Sequence, residues 1–273
     1  MPPIVAREVA SGQQAARTGP ICPETVPRWW SSSTSSAGGG AVPEETAYDE
    51  AYYQANGQDR DRPALRLYDR LVRRYVRPTR LLDVGCGTGH LLARLARRTP
   101  ADGLEVSAYS AGLARERSPR STVYADAADL PAGAFDGFTA VHVLEHIPDE
   151  PLSGLLAALH RATRPGSRGL VVVPDPAGRG RALHGDGWLG FTDPTHVNLK
   201  PHASWVGFLA AHGFPVDRAA SDGLWHFPYS ALPVPLDALR HGLPMAAQFL
   251  AGRLLLPPGS GESSILVVRR ADT

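Results

Sequence analysis

The hydrophobic positions follow two alternating periods through the middle of the chain. Short apolar runs, typical of buried strands, cover 80–84, 103–106, 122–125, 137–143 and 169–173. Apolar residues recur at helical spacing over 90–98, 108–116 and 151–163. Strands that alternate with helices in this way predict a parallel sheet with helices on both faces.

The flanking segments complete this pattern. Two helices are predicted before the first strand, at 44–56 and 63–76, and a helix at 202–212 and strands at 214–218 and 265–269 follow the last one. The segment 175–199 has no periodicity and is interpreted as a long loop. Residues 224–262 are rich in apolar residues and proline, and a connection of that length predicts a cap that binds substrate.

The N-terminal segment differs in composition from the rest. Residues 1–43 are dominated by Pro, Gly, Ser, Thr and Ala, so we expect them to be disordered. The exception is the pair Trp29-Trp30, which is interpreted as mobile, with docking on the body or on a partner left open. The remaining residues, 44–273, are predicted to form one domain.

A glycine-rich turn gives the strongest local signal. In Leu81-Leu82-Asp83-Val84-Gly85-Cys86-Gly87-Thr88-Gly89-His90 a strand ends, glycines turn the chain and a helix begins. Such a turn lets a ligand approach the backbone at the carboxyl edge of the sheet. The spacing departs from the G-x-G-x-x-G of dinucleotide sites, and Asp83 would repel a pyrophosphate. The turn therefore favours a ligand with a cationic group.

An acidic residue, Glu105, ends the second predicted strand. This is the position at which a carboxylate accepts hydrogen bonds from ribose hydroxyls. Turn and acid together predict a ligand with a ribose, a positive charge and no phosphates. The alternative is a turn that only packs a helix on a strand, with Glu105 solvated.

These residues resemble a known family. Asp83-Val84-Gly85-Cys86-Gly87-Thr88-Gly89 is similar to motif I of the class I S-adenosylmethionine-dependent methyltransferases. The resemblance covers roughly residues 48–270 and continues through Gly103-Leu104-Glu105, Ala125-Asp126-Ala127-Ala128-Asp129-Leu130-Pro131, Phe135-Asp136, His142-Val143-Leu144-Glu145-His146 and Arg164-Pro165-Gly166. It implies an α/β fold: a Rossmann-like, doubly wound, seven-stranded sheet of order 3-2-1-4-5-7-6, with an N-terminal helical cover, a C-terminal cap insertion and an antiparallel last strand.

The resemblance also implies roles for individual residues. The cofactor would be S-adenosylmethionine, released as S-adenosylhomocysteine, and its site would comprise Asp83, Gly85, Cys86, Gly87, Glu105, Asp126, Ala127, His142, Tyr48 and Tyr53. Asp83 would lie near the methionine amino group, and Glu105 would bind both ribose hydroxyls. Asp126 would accept a hydrogen bond from the exocyclic amine of adenine, and Ala127 would lie beneath the adenine ring. His142 would line the methionyl side, and Tyr48, Tyr52 or Tyr53 would cover the cofactor.

Candidate catalytic residues follow the fourth and fifth strands. Methyl transfer needs alignment of the reacting atoms and, for a protonated nucleophile, a base, a role that histidine fills near neutral pH. His196 is the first candidate, with Asp193 as its orienting carboxylate, and His146 is the second. Each histidine also has a purely structural interpretation.

A metal-assisted alternative stays open, although no metal ligand is assigned. Some methyltransferases of small RNAs and of the ubiquinone pathway hold a divalent ion through Glu-x-x-Glu-His and a later histidine. Here His142 replaces the first glutamate of that pattern, followed by Glu145, His146 and His196. Histidine is still a metal ligand.

Aromatic residues of the late segments give the only hints about the acceptor. Trp188, Phe191, Trp205, Trp225, Phe227 and Tyr229 suit a flat apolar or aromatic molecule. Trp205 and Phe208 are interpreted as core residues. His184, His202 and His226 are interpreted as surface or structural, with a pocket position for His226 left open.

Composition limits the partners. The net charge is +1 (28 Lys+Arg against 27 Asp+Glu), which argues against nucleic acid, and no apolar run is long enough to span a membrane. Two cysteines and no visible secretory signal predict a cytoplasmic protein. We therefore expect an enzyme that methylates an O, N or C atom of a small aromatic or apolar molecule. The composition, which is typical of GC-rich codons, suggests natural-product metabolism, and a homodimer is left open. A nicotinamide oxidoreductase and a catalytically silent cofactor-binding protein are the competing classes.

Overall fold

The computed structural model describes residues 48–56 and 60–272. The prediction for 1–43, including Trp29-Trp30, and the first four residues of the predicted helix 44–56 lie outside the described residues. The division into a tail and one domain therefore stays a prediction.

A single mixed sheet forms the centre of the molecule. Its strands are β1 (Leu81–Val84), β2 (Ala101–Leu104), β3 (Val123–Tyr124), β4 (Phe135–Val141), β5 (Thr163–Pro174), β6 (Val216–Ser221) and β7 (Ser263–Arg269). The strand order is β3-β2-β1-β4-β5-β7-β6. The first five strands are parallel, and β7 is antiparallel to both of its neighbours. The predicted Rossmann-like fold and its strand order are confirmed.

Helices cover both faces of this sheet. They are α1 (Glu50–Ala55), α2 (Pro63–Leu71), α3 (His90–Leu95), α4 (Ala108–Arg117), α5 (Asp149–Ala162), α6 (Arg179–His184), α7 (Leu189–Thr192), α8 (His202–Ala211) and α9 (Val234–Ala251). The helix predicted at 63–76 changes to π geometry at Val72–Val76, and Arg77, with a φ of 55°, ends it in the left-handed conformation.

The plain loop predicted over 175–199 is wrong. It contains α6, a 3-10 turn (Gly185–Gly187) and α7. These helices are too short to show a helical period, so pattern alone does not detect them. Trp188 anchors them, because its ring is buried and lies against Gly190, where a Cβ atom would come within 2.2 Å of the indole.

Two hydrophobic cores, one on each face of the sheet, hold the helices in place. Along β5, Val171 and Val173 belong to one core, while Leu170 and Val172 belong to the other. This alternation explains the continuous apolar run, since a strand covered on both faces buries every side chain. Trp205 is fully buried, which confirms its interpretation as a core residue.

Pairing with neighbouring strands sets boundaries that the pattern misplaced. The second strand was predicted at 103–106, but it pairs from Ala101 to Leu104 against β1. Glu105 therefore comes directly after the strand. The strand predicted at 214–218 is Val216–Ser221, because Phe214 points into the core between α8 and the sheet.

Helix α9 lies inside the segment predicted as a cap. Its leucines Leu236, Leu239, Leu243 and Leu250 are 54–79% exposed. No helix among the described residues is both long and apolar enough to cross a bilayer. The substrate-binding cap and the homodimer stay predictions.

Candidate active site

The glycine turn after β1 is shaped by close backbone packing. Gly85 has a φ of +62°, and a Cβ atom there would lie 2.3 Å from Val143 Cγ2. Gly89 has a φ of +83°, and its Cβ atom would lie 2.6 Å from Ala114 Cα. Both positions need the left-handed conformation and leave no room for a side chain. The turn is thus held tightly between β4 and α4.

Glu105 lies beside this turn and is fixed by two backbone N–H groups. Gly87 N donates to Oε2 at 2.8 Å, and Ser107 N donates to Oε1 at 2.9 Å. The side chain is buried, and burial raises the pKa of Glu105 while these N–H donors oppose the shift. Each carboxylate oxygen keeps a lone pair for a further donor. Glu105 is therefore positioned to accept from paired hydroxyl groups.

The carboxylate of Asp83 lines a cavity, and one of its oxygens has no hydrogen-bond partner among the described residues. Oδ1 accepts from Thr139 Oγ1 at 2.6 Å, while Oδ2 is buried and has no hydrogen-bond partner among the described residues. Burial, with the nearby charge of Glu105, raises the pKa of Asp83 to about 7. A cationic group would supply the missing partner and favour the ionised form.

Two tyrosines, Tyr48 and Tyr53, cover the glycine turn. Tyr48 O accepts from Ser107 Oγ at 2.8 Å, which ties the start of α1 to the end of β2. The ring of Tyr53 lies 3.6 Å from the position of a Cβ atom on Gly87. Helix α1 therefore covers the glycine turn, where the sequence predicted a cover.

A first cavity collects most of the predicted cofactor residues. Its lining includes Tyr48, Tyr53, Asp83, Gly85, Cys86, Gly87, Glu105 and His142. Asp126 and Ala127 do not line it; instead, Asp126 Oδ1 accepts from Ala128 N at 2.8 Å at the start of a 3-10 turn (Ala127–Asp129). Their roles at an adenine ring stay predictions.

A second cavity, of about 440 Å³, adjoins the first. This volume is in the usual range of small-molecule sites, about 300–1,000 Å³. Four residues line both cavities: Arg60, Arg62, His142 and His146. A group held at this boundary would contact ligands in both cavities.

A buried chain of hydrogen bonds orients His146. Its Nδ1 lies 3.2 Å from Thr195 O and 2.9 Å from Thr195 Oγ1, and that hydroxyl donates to Asp193 Oδ1 at 2.6 Å. Tyr52 donates to the other oxygen of Asp193 at 3.1 Å. Because a carbonyl oxygen only accepts, the contact with Thr195 O favours the proton on Nδ1 and leaves Nε2 with its lone pair.

His196, the first catalytic candidate from sequence, is less buried than His146 and lies farther from the first cavity. Its Nδ1 lies 2.8 Å from Gly190 O, and its Nε2 lies 3.8 Å from Asp193 Oδ2. His196 lines the second cavity but not the first. Asp193 contacts both histidines, directly in one case and through Thr195 in the other. This geometry favours His146 over His196 as the group nearest to both ligands.

Glu145 adds a buried carboxylate to the two histidines. Ligand atoms of Glu145, His146 and His196 all lie within 4.8 Å of one another. Oε1 lies 3.3 Å from His142 Nδ1, and Oε2 is buried with no partner among the described residues. Burial opposes ionisation, but the neighbouring histidines lower the pKa of Glu145. A cation would complete this group.

Sequence reasoning did not assign Thr195, Arg62, Asp222 or Glu262, although all four contribute to this region. Thr195 adjoins the assigned Asp193 and His196, and its position in Asp193-Pro194-Thr195-His196 was the one available signal. The other three line the second cavity from segments far apart in the chain. No local motif marks them.

The comparison with protein families agrees with this geometry. A family described as a methyltransferase domain matches residues 56–219, which is more than half of the chain. The chain belongs to this methyltransferase family. The resemblance to class I S-adenosylmethionine-dependent methyltransferases is confirmed at the level of the family.

Curated relatives of the family match over a shorter stretch. The O-methyltransferase cnsE of Penicillium expansum is 39% identical over 106 residues, which are 35% of this chain and 37% of the relative. The 27-O-demethylrifamycin SV methyltransferase of Amycolatopsis mediterranei is 33% identical over 114 residues, 36% of this chain and 41% of the relative. The chain thus spans about two fifths of the length of these relatives.

Solved structures of methyltransferases share the fold. The plantazolicin methyltransferase BpumL, in complex with a triazolic desmethylPZN analog and SAH, superposes with a TM-score of 0.56. The match covers 83% of this chain and 94% of BpumL, at 17% sequence identity. At that identity the likeness establishes the fold and not the substrate.

Proposed function

We propose that this protein transfers the methyl group of S-adenosylmethionine to a small molecule and releases S-adenosylhomocysteine. The observation that carries the proposal is the pair of acids at the carboxyl edge of the sheet. Glu105, fixed by Gly87 N and Ser107 N, suits the two ribose hydroxyls. Asp83, with its unpartnered Oδ2, suits the methionine amino group. BpumL, which shares the fold, is a methyltransferase whose structure contains SAH.

The residues at the boundary of the two cavities would orient the acceptor and hold its proton. Bound S-adenosylmethionine supplies an electrophilic methyl group on a sulfonium centre. His146 Nε2 would take the proton of the acceptor, while Thr195 holds the Nδ1 proton of the same ring. Asp193 and Tyr52 keep Thr195 in place. Tyr53 on helix α1 and Tyr48, which precedes the helix, would exclude water from the first cavity.

Oxygen is the acceptor atom that the relatives favour. The relatives from Penicillium expansum and Amycolatopsis mediterranei are an O-methyltransferase and a methyltransferase of a 27-O-demethyl compound. The second acts on a rifamycin, which supports an acceptor of natural-product type. We extend both features to this chain as part of the proposal, together with a cytoplasmic location.

The cofactor assignment is tested by ligand-induced stabilisation. We expect S-adenosylhomocysteine to raise the melting temperature of the protein, because a ligand at 100 times its Kd adds about 2.7 kcal/mol to the free energy of unfolding. NAD should leave the melting temperature unchanged, because Asp83 lies where a pyrophosphate would approach. Differential scanning fluorimetry with both ligands measures this. Stabilisation by NAD alone would refute the proposal.

Metal-assisted transfer to a catechol-like or quinone-like acceptor is the second candidate. It is supported by the ligand atoms of Glu145, His146 and His196 within 4.8 Å of one another, and by the unpartnered Glu145 Oε2. An ion held there would act as a Lewis acid on an acceptor oxygen. Carboxylate and imidazole ligands are compatible with several divalent ions.

The two candidates differ in their response to chelation. If the cluster holds an ion, Mn²⁺ or Zn²⁺ should bind the EDTA-treated protein in isothermal titration calorimetry, and Glu145→Gln should abolish that binding. His160→Ala, outside both cavities, is the matched control. Methyl transfer that persists in EDTA, together with no heat of metal binding, would leave the metal-free proposal alone.

A further inference from the structure

Part of the second cavity is lined by the guanidinium of Arg62. Arg62 immediately precedes α2 and lines both cavities. Within residues 48–56 and 60–272, no carboxylate forms an ion pair with it, and the polar groups that act on its charge are the phenols of Tyr68 and Tyr52. Burial lowers the pKa of the guanidinium. A partly buried cation that lacks an anion is a binding position for one.

A histidine, His226, lies close enough to Arg62 for the charge of the guanidinium to act on its ring. The imidazole of His226 bonds through Nδ1 to the carboxylate of Glu262. This hydrogen bond raises the pKa of His226, and the charge of Arg62 opposes the shift. The ring also lines the second cavity. His226 is therefore more than the surface or structural residue that the sequence favoured, since it lines the same cavity as Arg62 and its protonated ring adds a second donor for an anion.

Among the described residues, the acids of the same cavity leave Arg62 without a counterion. Glu262 is occupied by His226 and by the hydroxyl of Tyr229. Asp222 is buried, and burial together with Glu262 raises its pKa to about 8, so its carboxyl group is largely protonated at neutral pH. Asp61 is paired with Arg94. A protonated Asp222 is a donor and does not repel an anion.

The remaining acid of the cavity, Asp193, lies on the catalytic side. Asp193 bonds to Thr195 and Tyr52. Aromatic rings of Tyr68, Trp188 and Trp225 also line the cavity. Flat apolar surfaces next to a charged wall suit a planar molecule with an anionic end.

We propose that Arg62 and His226 bind a carboxylate of the acceptor, and that the acceptor is a carboxylic acid with a flat apolar body. The proposal rests on the methyltransferase function proposed above and names its substrate class. Guanidinium and carboxylate match as a two-donor, two-acceptor pair, which gives both affinity and orientation. Held there, the acid places its body beside His146, which lines the same cavity.

A carboxylate could also come from the methionyl part of the cofactor. Arg62 lines both cavities, but His226 lines only the second, so the cationic pair as a whole faces the acceptor side. The two sources are distinguished by ligands that carry or lack the carboxylate.

The test compares an acid with its neutral analogue. Protein saturated with S-adenosylhomocysteine is titrated with 4-hydroxybenzoate and 4-hydroxybenzamide in a calorimeter. We expect the acid to bind at least about ten-fold more tightly, and Arg62→Gln to remove that difference, since a charge-assisted hydrogen bond contributes roughly ten-fold or more in affinity. His226→Gln should reduce the preference by a smaller factor. Arg66→Gln, an exposed arginine on α2, is the matched control and should preserve it.

Each outcome decides between the assignments. Equal affinities for acid and amide, or binding of neither, would overturn the proposal. If Arg62→Gln weakens S-adenosylhomocysteine but not 5′-methylthioadenosine, which lacks the carboxylate, the cofactor is the source and the acceptor assignment is overturned. Failure of the wild-type protein to bind S-adenosylhomocysteine at all would instead refute the proposed function. Circular dichroism of each variant verifies its fold.

Discussion

Replacement of His146 by alanine is expected to lower kcat by about 10²- to 10⁴-fold, the usual contribution of a general base. The reason is its position: the ring lines both cavities, and its contacts with Thr195 favour a free Nε2 lone pair. The affinity for S-adenosylhomocysteine should change little, because Glu105 and Asp83 would hold the cofactor. Single-turnover kinetics and calorimetry measure the two effects separately.

If His146 is the base, the rate of the wild type should depend on pH. Burial is the main cause that lowers the pKa of His146, and Glu145 opposes it. The imidazole is therefore neutral at pH 6.5 and above, where it can accept a proton. The rate of the wild type should fall on acidification only below the ordinary pKa of histidine, about 6.5. In His146→Ala this acid limb should disappear, and the deficit should shrink at high pH, where the acceptor ionises by itself.

His196 supplies the comparison. Because it does not line the first cavity, His196→Ala should lower kcat less than His146→Ala does. This reverses the order that the sequence favoured. His160→Ala, outside both cavities, should retain full activity. Equal and severe losses at His146 and His196 would support the metal-assisted candidate, and full activity of His146→Ala would exclude it as the base.

Replacement of Glu105 by alanine is expected to weaken S-adenosylhomocysteine binding by roughly 10- to 100-fold, because hydrogen bonds to a charged group contribute about 1.5–3 kcal/mol. The carboxylate lies between two N–H donors that fix its direction. Glu105→Gln keeps one acceptor oxygen and should lose less. Calorimetry of the purified variants measures the affinities.

Stability must be separated from binding in this experiment. The alanine variant leaves Gly87 N and Ser107 N without their partner, so the free protein should also melt at a lower temperature. Glu116→Gln, an exposed acid on α4, is the matched control and should change neither quantity. An unchanged affinity in Glu105→Ala would remove this residue from the cofactor site.

Much of the fold followed from local patterns. The leucine spacing of α5 placed that helix close to its observed bounds. The buried run of β5 located the strand at 169–173, but the strand begins earlier, at Thr163, directly after α5. The short helices α6 and α7 were missed because they hold their shape through Trp188 and not through an intrinsic period. The edges of β2 and β6 shifted because strand ends are set by the partner strand.

The candidate site divides in the same way. The sequence by itself determined the glycine turn, Asp83 before it and Glu105 after β2, because each lies at the end of a strand in a local strand–turn–helix unit. Only the tertiary structure decided that His146 and not His196 lies at the boundary of the cavities, and that Arg62 and His226 line the same cavity. Those relations depend on how distant segments pack against one another. The direction that a side chain takes after packing is not encoded in any local period or motif of the sequence.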